Sequence, residues 1–150
     1  MAPRDARRDE AISGLEHEIG LLLRRIRRGT AERAAQVDPA LSATAYPLLV
    51  TLHAFGPHRA ADLADLFALD KGAVSRAVHQ LLELGLIERT PDPADGRASI
   101  LSVTPYAEER MAVVVEARRE AVGEKLADWD PESIAGLAAG LARFNAAISE

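Results

Sequence analysis

The sequence contains no cysteine. That single absence excludes disulfide bonds, thiolate zinc sites and thiol-based redox sensing. Nor does any stretch approach the ~18–20 consecutive apolar residues that a membrane-spanning helix needs. The opening residues, MAPRDARRDE, are charged and have no apolar segment behind them. They do not read as a signal peptide, and the expected compartment is the cytoplasm. Nucleophile elbows, P-loops, glycine-rich dinucleotide loops and metal-ligand motifs are also missing, so neither an enzyme nor a bound cofactor is expected. Asp128 and Asp130, which flank Trp129, read as a loop at a helix junction. No internal repeat is found.

A surplus of positive charge is lacking as well. The formal net charge is −5, but DNA senses the charge on one face rather than the total. Residues 1–33 hold eight Lys/Arg against six Asp/Glu, 58–104 hold five against seven, and 105–150 hold five against nine. The acidic surplus therefore sits mainly in the last third. Any nucleic-acid contact has to come from the placement of a few basic groups.

What is present is helical periodicity. Ile12, Leu15, Ile19, Leu22 and Ile26 follow a 3-4-3-4 spacing within a helix predicted from about Asp9 to Ala35. Val37-Asp38-Pro39 breaks it. Leu41-Ser42 opens a second helix, with Ser42 as its expected N-cap and Leu48, Leu49, Leu52 and Phe55 as its apolar face. Pro47 demands a kink or a late helix start there, and Gly56-Pro57 ends the element. Arg59 to Phe67 carries Ala60, Leu63, Ala64 and Phe67 at helical spacing. After the short turn Ala68-Leu69-Asp70, a helix capped by Asp70 runs through Leu84 and stops at Gly85.

The period then changes. Leu86 to Thr90 and Arg97 to Thr104 read as two strands of a hairpin, joined by Pro91-Asp92-Pro93-Ala94-Asp95-Gly96, which is dense in turn formers. Thr104-Pro105 starts the next helix as N-cap and N1. Asp130-Pro131-Glu132 starts the last, where Ile134, Leu137, Leu141, Phe144 and Ile148 repeat the 3-4-3-4 seam. The fold class that follows is mainly α with a small β-hairpin (α+β), in the order of a winged helix-turn-helix.

The helix after the turn is the candidate DNA reader. Val74, Val78, Leu81 and Leu82 should face the core, and Lys71, Ser75, Arg76 and His79 fall on the other side. A helix fits the major groove, with its first turns nearest the base edges. Arg76 can grip the O6/N7 edge of guanine with two bonds, and Ser75 can meet a base edge or a phosphate. Lys71, beside the positive helix N-terminus, suits a phosphate; His79 lies further along. Taken alone, four polar residues on one side of an amphipathic helix usually form no more than its solvated face. The hairpin that follows adds a second contact surface. Arg97 at its tip suits a narrow minor groove. It is also a turn arginine that Asp95 or Asp92 can pair, and Asp95 could orient it.

At this point the sequence resembles the MarR (multiple antibiotic resistance regulator) family. The likeness rests on Asp70-Lys71-Gly72-Ala73-Val74-Ser75-Arg76, then Leu81-Leu82-Glu83-Leu84-Gly85-Leu86-Ile87-Glu88-Arg89. It continues in Pro91-Asp92-Pro93-Ala94-Asp95-Gly96-Arg97 and closes with Leu101-Ser102-Val103-Thr104. The resemblance implies a homodimer in which residues 1–41 and 105–150 supply dimerisation helices and 42–104 form the DNA-binding lobe. It implies a palindromic double-stranded operator, with two reader helices in successive major grooves. Ser75 and Arg76 match positions that face DNA, and Arg97 matches the wing-tip arginine. Gly96 stands where many members have a second basic residue, which points to weaker wing contacts. The family also implies a small aromatic or phenolic effector, for which His17, Arg24, Tyr46 and His53 are the candidates. Those residues are otherwise solvated arm positions and a core-edge tyrosine. Some relatives bind zinc, but His17, His53, His58 and His79 lack ligand spacing, so no metal is expected. The function expected is that of a transcriptional repressor released by such an effector. The alternative is a winged-helix module for protein contact with weak or lost DNA binding, which the acidic balance of 58–104 and Gly96 favour.

Overall fold

The computed structural model describes residues 3–148, including the side chains of all of these except residues 3–5, 96 and 97. The chain forms two compact units, residues 1–114 and 115–150, with the boundary inside one helix.

In the first unit, α1 spans Pro3–Val37, longer at both ends than its apolar seam suggests. Ile12, Leu15, Leu22 and Ile26 are exposed along it, while Ala34 and Val37 at its C-terminal end are buried. Asp38 stops the helix by a local turn, its Oδ1 accepting the Ala40 amide at 2.7 Å. The Val37 carbonyl, left without a helical partner, accepts Arg110 Nε at 2.9 Å, a cation at the negative helix end.

The second helix, α2, covers Tyr46–Phe55, so Pro47 produces a late start and Ser42 is not its N-cap. A helix opened at Ser42 would place Pro47 where an amide donor is required, and its ring would strike the preceding turn. Residues 42–45 form a separate turn instead. In it, Ser42 O accepts the Tyr46 amide at 3.1 Å and Ser42 Oγ accepts the Ala45 amide at 3.2 Å. Leu48, Leu49 and Leu52 are buried as expected, but Phe55 is 77% exposed because the helix ends on it.

Next come β1 (His58–Arg59), α3 (Ala60–Leu66), α4 (Lys71–Glu83), β2 (Ile87–Asp92) and β3 (Asp95–Val103). The expected hairpin is thus part of a three-stranded antiparallel sheet of order β1-β3-β2. β1 pairs His58 with Leu101 and Arg59 with Ile100, and β2 pairs Ile87 with Val103 through Pro91 with Ser99. The strands run further into the tip than its turn-forming residues suggest.

Both helices of the helix-turn-helix end in the same way. Leu69 N donates to Ala64 O and Ala68 N to Asp65 O after α3; Leu86 N donates to Leu81 O and Gly85 N to Leu82 O after α4. This double bond pattern needs a left-handed residue, supplied by Ala68 (φ 49°) and Gly85 (φ 65°). The core gathers Leu48, Leu49, Leu52, Leu63, Val74, Val78, Leu81, Leu86, Leu101 and Met111. Burial of each leucine is worth ~1.5–3 kcal/mol, so the packing fixes α3, α4 and the sheet as one body.

The helix α5 spans Pro105–Lys125, with Ala107, Met111 and Val114 buried in the first unit. Thr104 caps it, Oγ1 accepting the Ala107 amide at 3.2 Å and donating to Gly85 O at 2.7 Å. The second unit holds the rest of α5 and α6 (Pro131–Ile148). Asp130 caps α6, accepting Ser133 N at 2.9 Å and Ser133 Oγ at 2.7 Å. Ile134, Leu137, Leu141 and Ile148 are exposed on α6.

Candidate nucleic-acid interface

Helix α4 buries one face and exposes the other. Val74, Ala77, Val78 and Leu81 are buried and Leu82 packs against them. Lys71, Ser75, Arg76 and His79 are all exposed. The helix begins cleanly because Asp70 has extended backbone (φ −66°, ψ 151°) and its Oδ1 accepts the Ala73 amide at 2.8 Å. Gly72 keeps this end open. A methyl group there would sit 3.0 Å from Asp70 Oδ1 and 3.4 Å from Arg76 Nη1. The far end of the polar face is less positive, since His79 Nε2 lies 3.3 Å from Glu83 Oε1.

Gln80, at the side of α4, ties the helix to the turn after α1. Its Oε1 accepts Ser42 Oγ at 2.6 Å and Ser42 N at 3.2 Å, and its Nε2 donates to Ala40 O at 3.0 Å. These three bonds brace α4 against that turn, adding to the buried face of Val74, Ala77, Val78 and Leu81 that already sets which residues point outward.

The hairpin tip is organised by Asp92. Its Oδ1 accepts the Ala94 amide at 2.8 Å, and its Oδ2 accepts Arg59 Nε at 2.6 Å and also Arg59 Nη2. The Ala94 amide first, then the Arg59 guanidinium and the Asp95 amide, hold this carboxyl below the ordinary Asp value, against the opposing effect of its burial. Asp95 is exposed at the start of β3, opposite Asp92. Arg97 belongs to β3, but its side chain lies outside the described residues.

Between α3, α4 and β2 lies a cavity of about 340 Å³. Ala60, Ala61, Ala64, Val74 and Val78 supply its apolar lining, and Lys71, Ser75 and Arg89 its polar lining. His17, Arg24, Tyr46 and His53 are not among these residues. His17 and Arg24 are exposed on α1, and Tyr46 is buried at the start of α2. His53 Nδ1 is 2.9 Å from Glu108 Oε2, within ion-pair distance but not aligned as a hydrogen bond. Arg59, Gln80 and Arg89 went unassigned in the sequence reading. Arg89 ends the family-like segment that begins at Leu81, yet strand periodicity alone cannot tell that it borders a cavity. Arg59 and Gln80 find partners 33 and 38 residues away.

The buried body of α3 and α4, the exposed polar face of α4 and the adjoining sheet define a winged helix-turn-helix protein, a class of DNA-binding regulators. Comparison with known proteins agrees. The model of the MarR family matches residues 41–99. The HTH-type transcriptional regulator YxaD of Bacillus subtilis is 30% identical over 142 residues, covering 89% of this chain and 92% of that protein. Among solved structures, RV1404 of Mycobacterium tuberculosis is 28% identical with a TM-score of 0.71, covering 94% of each chain. A MarR regulator from Methanosarcina mazei shares the fold with a TM-score of 0.75 at 17% identity, over 91% of this chain and 98% of that one. The chain belongs to the MarR family. It is a transcription regulator and not an enzyme.

Proposed function

We propose that the protein works in the cytoplasm as a homodimeric repressor of a palindromic operator, with residues 42–104 as the DNA-reading lobe and 1–41 and 105–150 as the dimerisation helices. The observation that carries this reading is the division of α4 into a buried apolar face and an exposed face of Lys71, Ser75, Arg76 and His79. Arg76 reads a guanine, Ser75 a base edge or phosphate, and Lys71 a phosphate at the helix N-terminus. His79, paired with Glu83, contributes least. Arg97 enters the minor groove from the wing with Asp95 in support. The exposed apolar stripes of α1 and α6 each call for a partner surface, and a second copy of the chain supplies one.

The cavity beside α4 suits a small aromatic or phenolic effector in volume and lining. Lys71 and Ser75 line the cavity and also belong to the reading face, so a bound ligand competes with DNA for them. Fluorescence anisotropy with a duplex from the protein's own upstream region tests the main reading. Binding should be tight, steeply salt-dependent and lost on scrambling the sequence. Equal affinity for scrambled DNA would instead favour a protein-contact module. Arg89→Ala should abolish ligand-induced release. Unchanged release would move the effector to His17, Arg24, Tyr46 or His53.

A further inference from the structure

The hairpin tip carries a structural problem that one side chain solves. Pro91 and Pro93 flank Asp92, and neither has an amide proton to give to a ladder. The regular register ends there, passing from Pro91 opposite Ser99 to Asp92 opposite Asp95. Backbone pairing therefore holds the tip weakly. The Asp92 side chain replaces it, binding the Ala94 amide with one oxygen and Arg59 with the other. Its side chain is only 5% exposed, and a carboxylate so buried stays in place only if a cation and donors compensate it. Arg59 is well rooted for that task. From β1 it pairs with Ile100 of β3, and its own amide donates to Asp62 Oδ2 at 3.3 Å at the start of α3. Because β3 lies between β1 and β2, the Arg59–Asp92 pair ties the two outer strands across the middle one.

We propose that Arg59 is a positioning residue for the wing: by holding Asp92 it sets the direction of the hairpin tip relative to α3 and α4, and so governs binding at the operator flanks without reading a base. This rests on the reading of the hairpin as a DNA-contacting wing.

The test compares wild type with Arg59→Gln, Asp92→Asn, their double variant and Arg59→Lys. Wild-type protein first selects duplexes from a random pool. On the selected duplex each neutral single variant should lose roughly tenfold in affinity, the scale of one lost anchoring interaction. The loss should fall on flank protection in hydroxyl-radical footprints, and base preference under α4 should persist. The double variant should be no weaker than either single variant, and Arg59→Lys should recover part of the loss. In free protein, hydrogen exchange at the Ala94 amide should quicken in both single variants while amides of α4 stay protected. Weakening by Arg59→Gln but not by Asp92→Asn would make Arg59 a direct phosphate contact and overturn the proposal. Unchanged flanks and unchanged Ala94 exchange would overturn it too, as would a loss shared equally by flanks and half-sites. Wild-type protein that selects no duplex would instead overturn the DNA reading, and the wing's role with it.

Discussion

Ala68 holds a left-handed backbone conformation, φ 49°, in the turn between α3 and α4. The Cβ of a non-glycine residue costs ~1–2 kcal/mol there. The stop of α3 nevertheless requires it, because Leu69 and Ala68 donate back to Ala64 and Asp65. Ala68→Gly removes the Cβ penalty and adds ~0.5–1 kcal/mol of unfolded-chain entropy. The net should be a gain of about 0.5–1 kcal/mol, seen as a Tm higher by roughly 1–4 °C in thermal denaturation; a lower Tm would count against the strain. Asp92 offers a titration at the same scale. Its folded pKa lies below 3.8, so its ionised form favours the folded state. That contribution is complete above the unfolded value and fades as pH falls through the lower folded one. Wild type should therefore exceed Asp92→Asn in Tm by a constant margin near neutrality, and the margin should shrink only below about pH 3.8. A margin that vanished near pH 6 would implicate a histidine instead.

The proposed reading assigns two kinds of contact to α4. Arg76→Ala should cost ~1–3 kcal/mol on the preferred site and relax preference at one base position. Lys71→Ala should weaken binding to all sequences alike and lower the salt slope by ~1. Anisotropy titrations over a salt series on matched and mutated duplexes separate the two, and identical profiles for both variants would contradict the assignment. This element was legible in the sequence because its signals are local. Asp70 bonds to Ala73, Gly85 turns the chain within the next residue, and Thr104 caps the helix that Pro105 begins. Caps of this kind act over one turn, and the residue types that make them are few. The start of α2 was harder, because Ser42 looks like a cap until Pro47 and the Gln80 amide compete for the same segment. β1 was invisible: two residues have no periodicity, and only pairing with Leu101 and Ile100 makes them a strand. The Arg59–Asp92 pair was hidden for the same reason, since no local pattern joins residues brought together by strand order.

At the scale of the molecule, the question is what covers the apolar stripe of α1. Ile12, Leu15, Leu22 and Ile26 are exposed, and none belongs to the core that includes Ala34 and Val37 further along the same helix. A stripe of this kind on a long helix is a cost in water unless a partner buries it. If that partner is a second copy, Leu15→Glu with Leu22→Glu should convert a two-chain species to a single chain in sedimentation equilibrium. The lobe should keep its own packing, because Leu63, Leu81, Leu86 and Leu101 are untouched. DNA binding should suffer doubly. Affinity should collapse, because two half-sites are no longer held by one body, and the salt slope should fall to about half, because it counts the phosphates contacted together. A variant that stayed two-chain would place the interface elsewhere. One that became a single chain yet kept the full slope would show that one lobe makes all the phosphate contacts, and the palindromic operator would then have no physical basis.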